Sequence, residues 1–134
     1  MMFYVMIIDD DEDFASATAT VLEHAGYEVR VESDIPGAEK SMKKRQPDLV
    51  ILDVMFPENS SAGFTLARKM KHFEETFKQI PILMLTGVNS KFPFGFSTSD
   101  IDEKWLPVED FLKKPVDFDI LRNRVAALLP CQKY

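Results

Sequence analysis

The sequence is poor in the residues that build disulfide-linked, zinc-binding and membrane-spanning proteins. It has a single cysteine, Cys131, and two histidines among 134 residues. One cysteine excludes a disulfide within the chain and suits a reducing compartment. No apolar run approaches the roughly 20 residues that a membrane helix needs, and the apolar start leads straight into Asp9 without a basic region or a cleavage site. We therefore expect a cytoplasmic protein without membrane contact.

Positive charge is also scarce. Lysine and arginine number 16 against 22 aspartates and glutamates, which leaves a formal net charge of −6. No basic arm or stripe is present to neutralise a phosphate backbone, so we expect no direct nucleic-acid partner. Hydrophobic residues at 46% and charged residues at 28% are typical of a globular protein. We expect one domain over residues 1–134, because this length is sufficient for a hydrophobic core.

Short apolar runs alternate with helical patterns along the chain. The runs predict five strands, at Phe3–Ile8, Tyr27–Val31, Leu49–Leu52, Pro81–Leu85 and Phe111–Leu112. Helical spacing predicts a helix after each of the first, second, third and fifth strands, the third from about Gly63 to Phe73 or further. Phe, Pro and Gly in Asn89–Glu109 make the fourth helix irregular or short. This alternation predicts an α/β three-layer sandwich around a five-stranded parallel sheet in the order 2-1-3-4-5.

Polar residues follow these strands at the edge where ligands bind in such sheets. Asp9 and Asp10 follow the first strand, Asp53 the third, Thr86 the fourth and Lys114 the fifth. The switch point of the predicted order lies between strands one and three, so these side chains should converge. Like charges this close need a cation, and a few carboxylate oxygens in an open site favour Mg²⁺. The set of residue types suits phosphoryl transfer to a carboxylate, with lysine and threonine binding the remaining oxygens.

Five segments in chain order carry these residues: Ile7–Asp11, Pro47–Met55 followed by Pro57, Gly63–Phe64, Leu83–Gly87 and Phe111–Pro115. Together they resemble the receiver domain of bacterial two-component response regulators. The resemblance extends from Phe3 to about Leu129 and implies a flavodoxin-like fold. It also implies a single receiver domain, with no output domain in this chain. Such a protein is not an enzyme, apart from catalysing its own phosphorylation and dephosphorylation.

The resemblance implies a role for each acidic residue of the site. Asp53 would accept the phosphoryl group from a phosphohistidine of a sensor histidine kinase or a phosphotransfer protein. Asp10 and Asp53 would bind Mg²⁺ directly, together with the backbone carbonyl of Met55. Asp9 would act on the metal mostly through water.

The resemblance also implies how the signal would leave the site. Thr86 and Lys114 would contact the phosphoryl oxygens, and Phe111 occupies the position of the switch aromatic. Movement of Thr86 would let Phe111 repack a surface formed by residues 88–112 and 117–129. A downstream protein or a second copy of the chain would bind there.

Two other interpretations remain open. Asp9-x-Asp11 after an apolar strand resembles the nucleophile motif of haloacid-dehalogenase-like phosphohydrolases, in which Asp9 would attack phosphorus. Asp13 stands where that family has threonine or serine, and the chain is short for it. A pseudo-receiver, which binds partners without being phosphorylated, is the second alternative.

Overall fold

A computed structural model of the chain describes residues 3–53, 66, 70, 79–86, 110–113 and 116–129. The strands in these ranges are β1 (Tyr4–Ile8), β2 (Glu28–Glu32), β3 (Leu49–Asp53), β4 (Ile82–Thr86) and β5 (Asp110–Lys113). The helices in them are α1 (Glu12–His24), α2 (Ile35–Lys44) and α3 (Phe118–Leu128). None of these helices is long and apolar enough to span a bilayer.

The strands form one parallel sheet in the order β2-β1-β3-β4-β5, which confirms the predicted topology. β1 and β3 lie at the centre and are buried at every position, as expected for strands that are covered on both faces. β2 lies at one end of the sheet and is partly or fully exposed along its length. Ile8 pairs with Leu52, so β1 and β3 end side by side.

Two hydrophobic clusters cover the two faces of the sheet. One cluster joins alternate residues of β1 and β3, such as Met6 and Leu52, to Ala38 and Met42 of α2. The other joins the intervening strand residues to α1 and α3, with Leu22 and Leu121 among its fully buried members. Because side chains alternate across a strand, each central strand contributes to both clusters. The three layers are therefore helices, sheet and helices, as predicted.

An aspartate is the N-cap residue of each of α1, α2 and α3. The Asp11 carboxylate accepts a hydrogen bond from the Phe14 N–H at 3.1 Å, and Asp117 accepts one from the Asp119 N–H at 2.8 Å. Asp34 caps α2 in the same way. These bonds satisfy N–H groups that lack a partner within the helix. Gly26 follows the end of α1 with φ of 98°, a conformation that favours glycine.

Part of the helical prediction lies outside the described residues. Leu66 and Met70 are helical and buried, which agrees with a helix from about Gly63 to Phe73 or further. The segment Asn89–Glu109, where the fourth helix was expected to be irregular or short, lies outside the described ranges.

Candidate functional site

Three carboxylates meet at the carboxyl edge of the sheet, at the predicted switch point. Asp9 and Asp10 follow β1 directly, and Asp53 is the last residue of β3. One carboxylate oxygen of each residue lies within 4.8 Å of the others. Fold and chain order thus bring together all three acidic residues that were selected from the sequence.

Two of the three carboxylates are buried. Asp9 is 1% exposed and Asp53 is 2% exposed, whereas Asp10 retains partial contact with solvent. The Asp9 Oδ1 atom accepts a hydrogen bond from the Asp11 backbone N–H at 2.9 Å. The Asp9 backbone N–H donates to the Glu32 carbonyl at 3.0 Å. Asp9 is therefore held in place from both sides, by the start of α1 and by the end of β2.

The composition of the cluster determines which ion it suits. All three candidate ligands are carboxylates, and neither histidine nor cysteine belongs to the group. Hard oxygen ligands select hard cations, and a small number of them suits Mg²⁺, which keeps several water ligands. Three negative charges within this distance also repel each other unless a cation is present. The residues present therefore fit a Mg²⁺ ion.

The remaining predicted site residues are placed only in part. Thr86 is the last residue of β4 and pairs with Lys113 in the register of the neighbouring strand. Phe111 lies within β5 and pairs with Met84. Both positions agree with the predicted strand ends. Met55 and Lys114 lie outside the described residues.

Two residues near the site have structural roles that the sequence only hinted at. Asp11 is the N-cap residue of α1, and its backbone N–H also holds the Asp9 carboxylate. Glu32 was not selected, yet its carbonyl accepts the Asp9 N–H. Its side chain accepts hydrogen bonds from Arg30 and Ser41. No local pattern marks Glu32, since its contact with Asp9 arises from the pairing of β1 and β2.

Comparisons with family models, with curated proteins and with solved structures all point to the same protein family. The model of the response regulator receiver domain matches residues 5–126. The DNA-binding dual master transcriptional regulator RpaA of Synechocystis is 34% identical over 128 residues, which are 93% of this chain and 48% of that protein. The CAI-1 autoinducer sensor kinase/phosphatase CqsS of Vibrio cholerae is 34% identical over 124 residues, 92% of this chain and 17% of that protein. The chemotaxis response regulator CheY4 of Vibrio cholerae has a solved structure with a TM-score of 0.80 and 26% identity, covering 96% of this chain and 100% of that one.

The matched share of each relative limits which of its properties can be transferred to this chain. This chain spans about half or less of the two curated relatives. One of them is named as a DNA-binding regulator. The expectation of no direct nucleic-acid partner is therefore not supported by the relatives.

Proposed function

Because this chain belongs to the response regulator receiver domain family of two-component systems, we propose that it accepts a phosphoryl group on Asp53. The observation that supports this is the grouping of Asp9, Asp10 and Asp53, with carboxylate oxygens within 4.8 Å of one another. Asp53 ends the central strand β3, at the sheet edge where ligands bind in this class of fold.

In the proposed reaction, a carboxylate oxygen of Asp53 attacks the phosphorus of a phosphohistidine. The new P–O bond forms as the P–N bond breaks, and the imidazole of the donor protein leaves with the electron pair. Thr86 and Lys114 bind the phosphoryl oxygens. The donor is a sensor histidine kinase or a phosphotransfer protein, and the chain has no other catalytic activity.

Asp10 and Asp53, with the carbonyl of Met55, are the proposed direct ligands of Mg²⁺. A bound Mg²⁺ supplies positive charge that neutralises the carboxylates and the transferred phosphoryl group. Asp9 is held by the N–H of Asp11, so its charge stays at the site whichever way Asp10 turns.

We further propose that phosphorylation changes the surface used for partners. The phosphoryl group adds up to about two negative charges at Asp53. Thr86 and Phe111 respond to these charges and bias an equilibrium between two packings of residues 88–112 and 117–129. The packing favoured by phosphorylation binds a downstream protein or a second copy of the chain.

Family membership decides against the phosphohydrolase with Asp9 as nucleophile. A pseudo-receiver that is not phosphorylated has the same fold and is the competing hypothesis.

Intact-mass measurement separates the two. The protein is incubated with Mg²⁺ and acetyl phosphate, and we expect an acid-stable, base-labile adduct with the mass of one phosphoryl group. Asp53→Asn should abolish the adduct. Asp11→Asn is the matched control, because it makes the same chemical change beside the site and keeps a capping side chain. A folded wild-type protein that forms no adduct, or an adduct that persists in Asp53→Asn, would contradict the proposal.

A further inference from the structure

The outer edge of β2 is open among the described residues. β2 ends the strand order, and no described strand pairs with its outer side. The Glu28 N–H donates to the Phe3 carbonyl at 2.9 Å, and the Glu32 carbonyl accepts from the Asp9 N–H at 3.0 Å. Backbone groups alternate in direction along a strand, so the N–H and C=O groups of Val29 and Val31 point away from β1. This edge can therefore pair with another strand.

The charges along β2 are complementary to those of a second β2 strand. Glu28, Arg30 and Glu32 alternate with Val29 and Val31. An antiparallel copy with Val29 opposite Val29 places Glu28 opposite Arg30 twice, once on each side of the two-fold axis. The side chains of Glu28 and Arg30 are 46% and 58% exposed, which leaves them accessible.

The same register covers an exposed apolar side chain. Val31 is 40% exposed, although Val29, on the same face of β2, packs against the hydrophobic cluster that includes Leu22 and Leu121. With Val29 at the two-fold axis, Val31 lies opposite Tyr27 of the second copy. Cross-strand aromatic and β-branched pairs of this kind stabilise antiparallel strands.

The ion pairs that already exist within the chain would be extended by this pairing. Arg45 donates two hydrogen bonds to Glu28, at 2.5 and 2.9 Å, and its guanidinium lies 4.1 Å from the centre of the Tyr4 ring. Arg30 donates to Glu32 at 2.5 Å. In the paired strands, Arg45 and Glu28 of one copy are followed by Arg30 and Glu32 of the second copy. Positive and negative charges alternate along this row of four side chains. A groove of about 610 Å³ between β2 and α2 gives these side chains room to adjust.

We infer that two copies of this chain associate by antiparallel pairing of their β2 edges. A second copy fits the edge because the strand is complementary to itself in charge and in its apolar positions. The interface is separate from Asp53 and requires no phosphoryl group. A five-residue edge buries little surface, so the association is weak and depends on concentration.

Sedimentation velocity of the unphosphorylated full chain tests the inference. The sedimentation coefficient should rise with protein concentration up to about 1 mM, the range in which weak interfaces associate. Arg30→Glu places two glutamates opposite each other and should weaken association about tenfold or more. Lys40→Glu is the control for the change of charge, because Lys40 is also an exposed basic residue but lies on α2, outside the edge of β2 and outside residues 88–112 and 117–129.

Mixed variants test the register. Arg30→Glu and Glu28→Arg proteins should each associate poorly alone, because each places like charges opposite one another. Mixed together, they should associate, since both cross-strand pairs become Glu–Arg. Glu28→Arg that self-associates as well as the wild type would overturn the register with Val29 at the axis.

A proline substitution in β2 tests the backbone hydrogen bonds of the proposed dimer separately from its charge pairs. Val31→Pro removes an outward N–H but no hydrogen bond to β1, so the fold should persist, as circular dichroism would show. We expect the dimer to be lost. A wild-type protein that stays monomeric, or a dimer unaffected by Val31→Pro and Arg30→Glu, would overturn the inference. Neither result depends on whether Asp53 is phosphorylated.

Discussion

Asp9 is a buried carboxylate beside two other carboxylates, and like charges at this distance repel each other unless a cation is present. Its Oδ1 atom accepts the Asp11 N–H, a bond that an asparagine in the same place can keep. Asp9→Asn therefore removes an ionisable group and can keep this hydrogen bond. We expect it to raise stability in EDTA by on the order of 1 kcal/mol, because fewer like charges repel. It should also reduce the increase in melting temperature that Mg²⁺ causes in the wild type.

Thermal melts with EDTA and with Mg²⁺ measure both effects. Asp11→Asn serves as the control, because Asp11 is exposed and does not belong to the carboxylate cluster. Equal responses to Mg²⁺ in the wild type and in Asp9→Asn would argue against a metal site that uses this residue.

Tyr4 and Tyr27 make stability depend on pH at the alkaline end. Burial raises the pKa of both phenols above the ordinary value of 10.0, although Arg30 and Arg45 partly offset the effect at Tyr4. A raised pKa means that the unfolded chain loses the proton first. The stabilisation is then complete below about pH 10 and is lost as the pH rises through the folded-state pKa.

Tyr4→Phe should therefore flatten the decline of stability with alkaline pH. Urea unfolding midpoints across the alkaline range would show a smaller slope than in the wild type, while the slope below pH 7 should not change. Tyr27→Phe should reduce the alkaline decline further. An unchanged alkaline slope in the double variant would refute this assignment.

At the scale of elements, α2 depends strongly on its first turn. Its sequence begins Ile35-Pro36-Gly37, and glycine is unfavourable within helices. The Asp34 carboxylate accepts the Gly37 N–H at 2.7 Å, and a Cβ at residue 37 would lie 2.8 Å from that same carboxylate oxygen. Glycine at 37 therefore permits the close approach of the cap.

Asp34→Ala should destabilise the protein by about 1 kcal/mol, since the cap bond is lost. Asp34→Ser keeps an acceptor at this position and should recover most of that loss. Urea unfolding of the three proteins gives the comparison. A serine variant as unstable as the alanine variant would show that the carboxylate contributes through something other than capping.

At the scale of the molecule, the two faces of the sheet form one folding unit. Ile51 and Leu52 are neighbours on β3, fully buried, and belong to opposite clusters. We expect Ile51→Ala and Leu52→Ala each to cost about 2–5 kcal/mol. Both should leave a single cooperative transition, because every central strand contributes to both clusters.

Ile120→Ala is the control for these core variants, because Ile120 is exposed on α3. Denaturant unfolding followed by fluorescence and by circular dichroism would detect any separation of the faces. Two transitions in either core variant would mean that the layers fold independently.

Much of the fold follows from local patterns, whose physical basis is the periodicity of the chain. Apolar runs that end on acids predicted β1 and β3 and the positions of Asp9, Asp10 and Asp53. The sequence offers Ser33 or Asp34 as the cap of α2 and Asp117 as the cap of α3, and the structure has Asp34 and Asp117 in these places. The alternation of strands and helices, with right-handed crossovers, restricted the possible strand orders, and the order common for five strands is the one that the structure has.

Other features depend on contacts between residues far apart in sequence, and only the tertiary structure decided them. The Tyr4 N–H donates to the Asp48 carboxylate across 44 positions, and Arg45 reaches Glu28 across 17. Strand pairing, which no local pattern encodes, places Glu32 beside Asp9, and no strand among the described residues pairs with the other side of β2. The sequence by itself determined which acidic residues stand at the ends of β1 and β3, because strand ends are local. The packing of the sheet decided how near the carboxylates lie and which edge stays exposed, because those depend on which strands become neighbours.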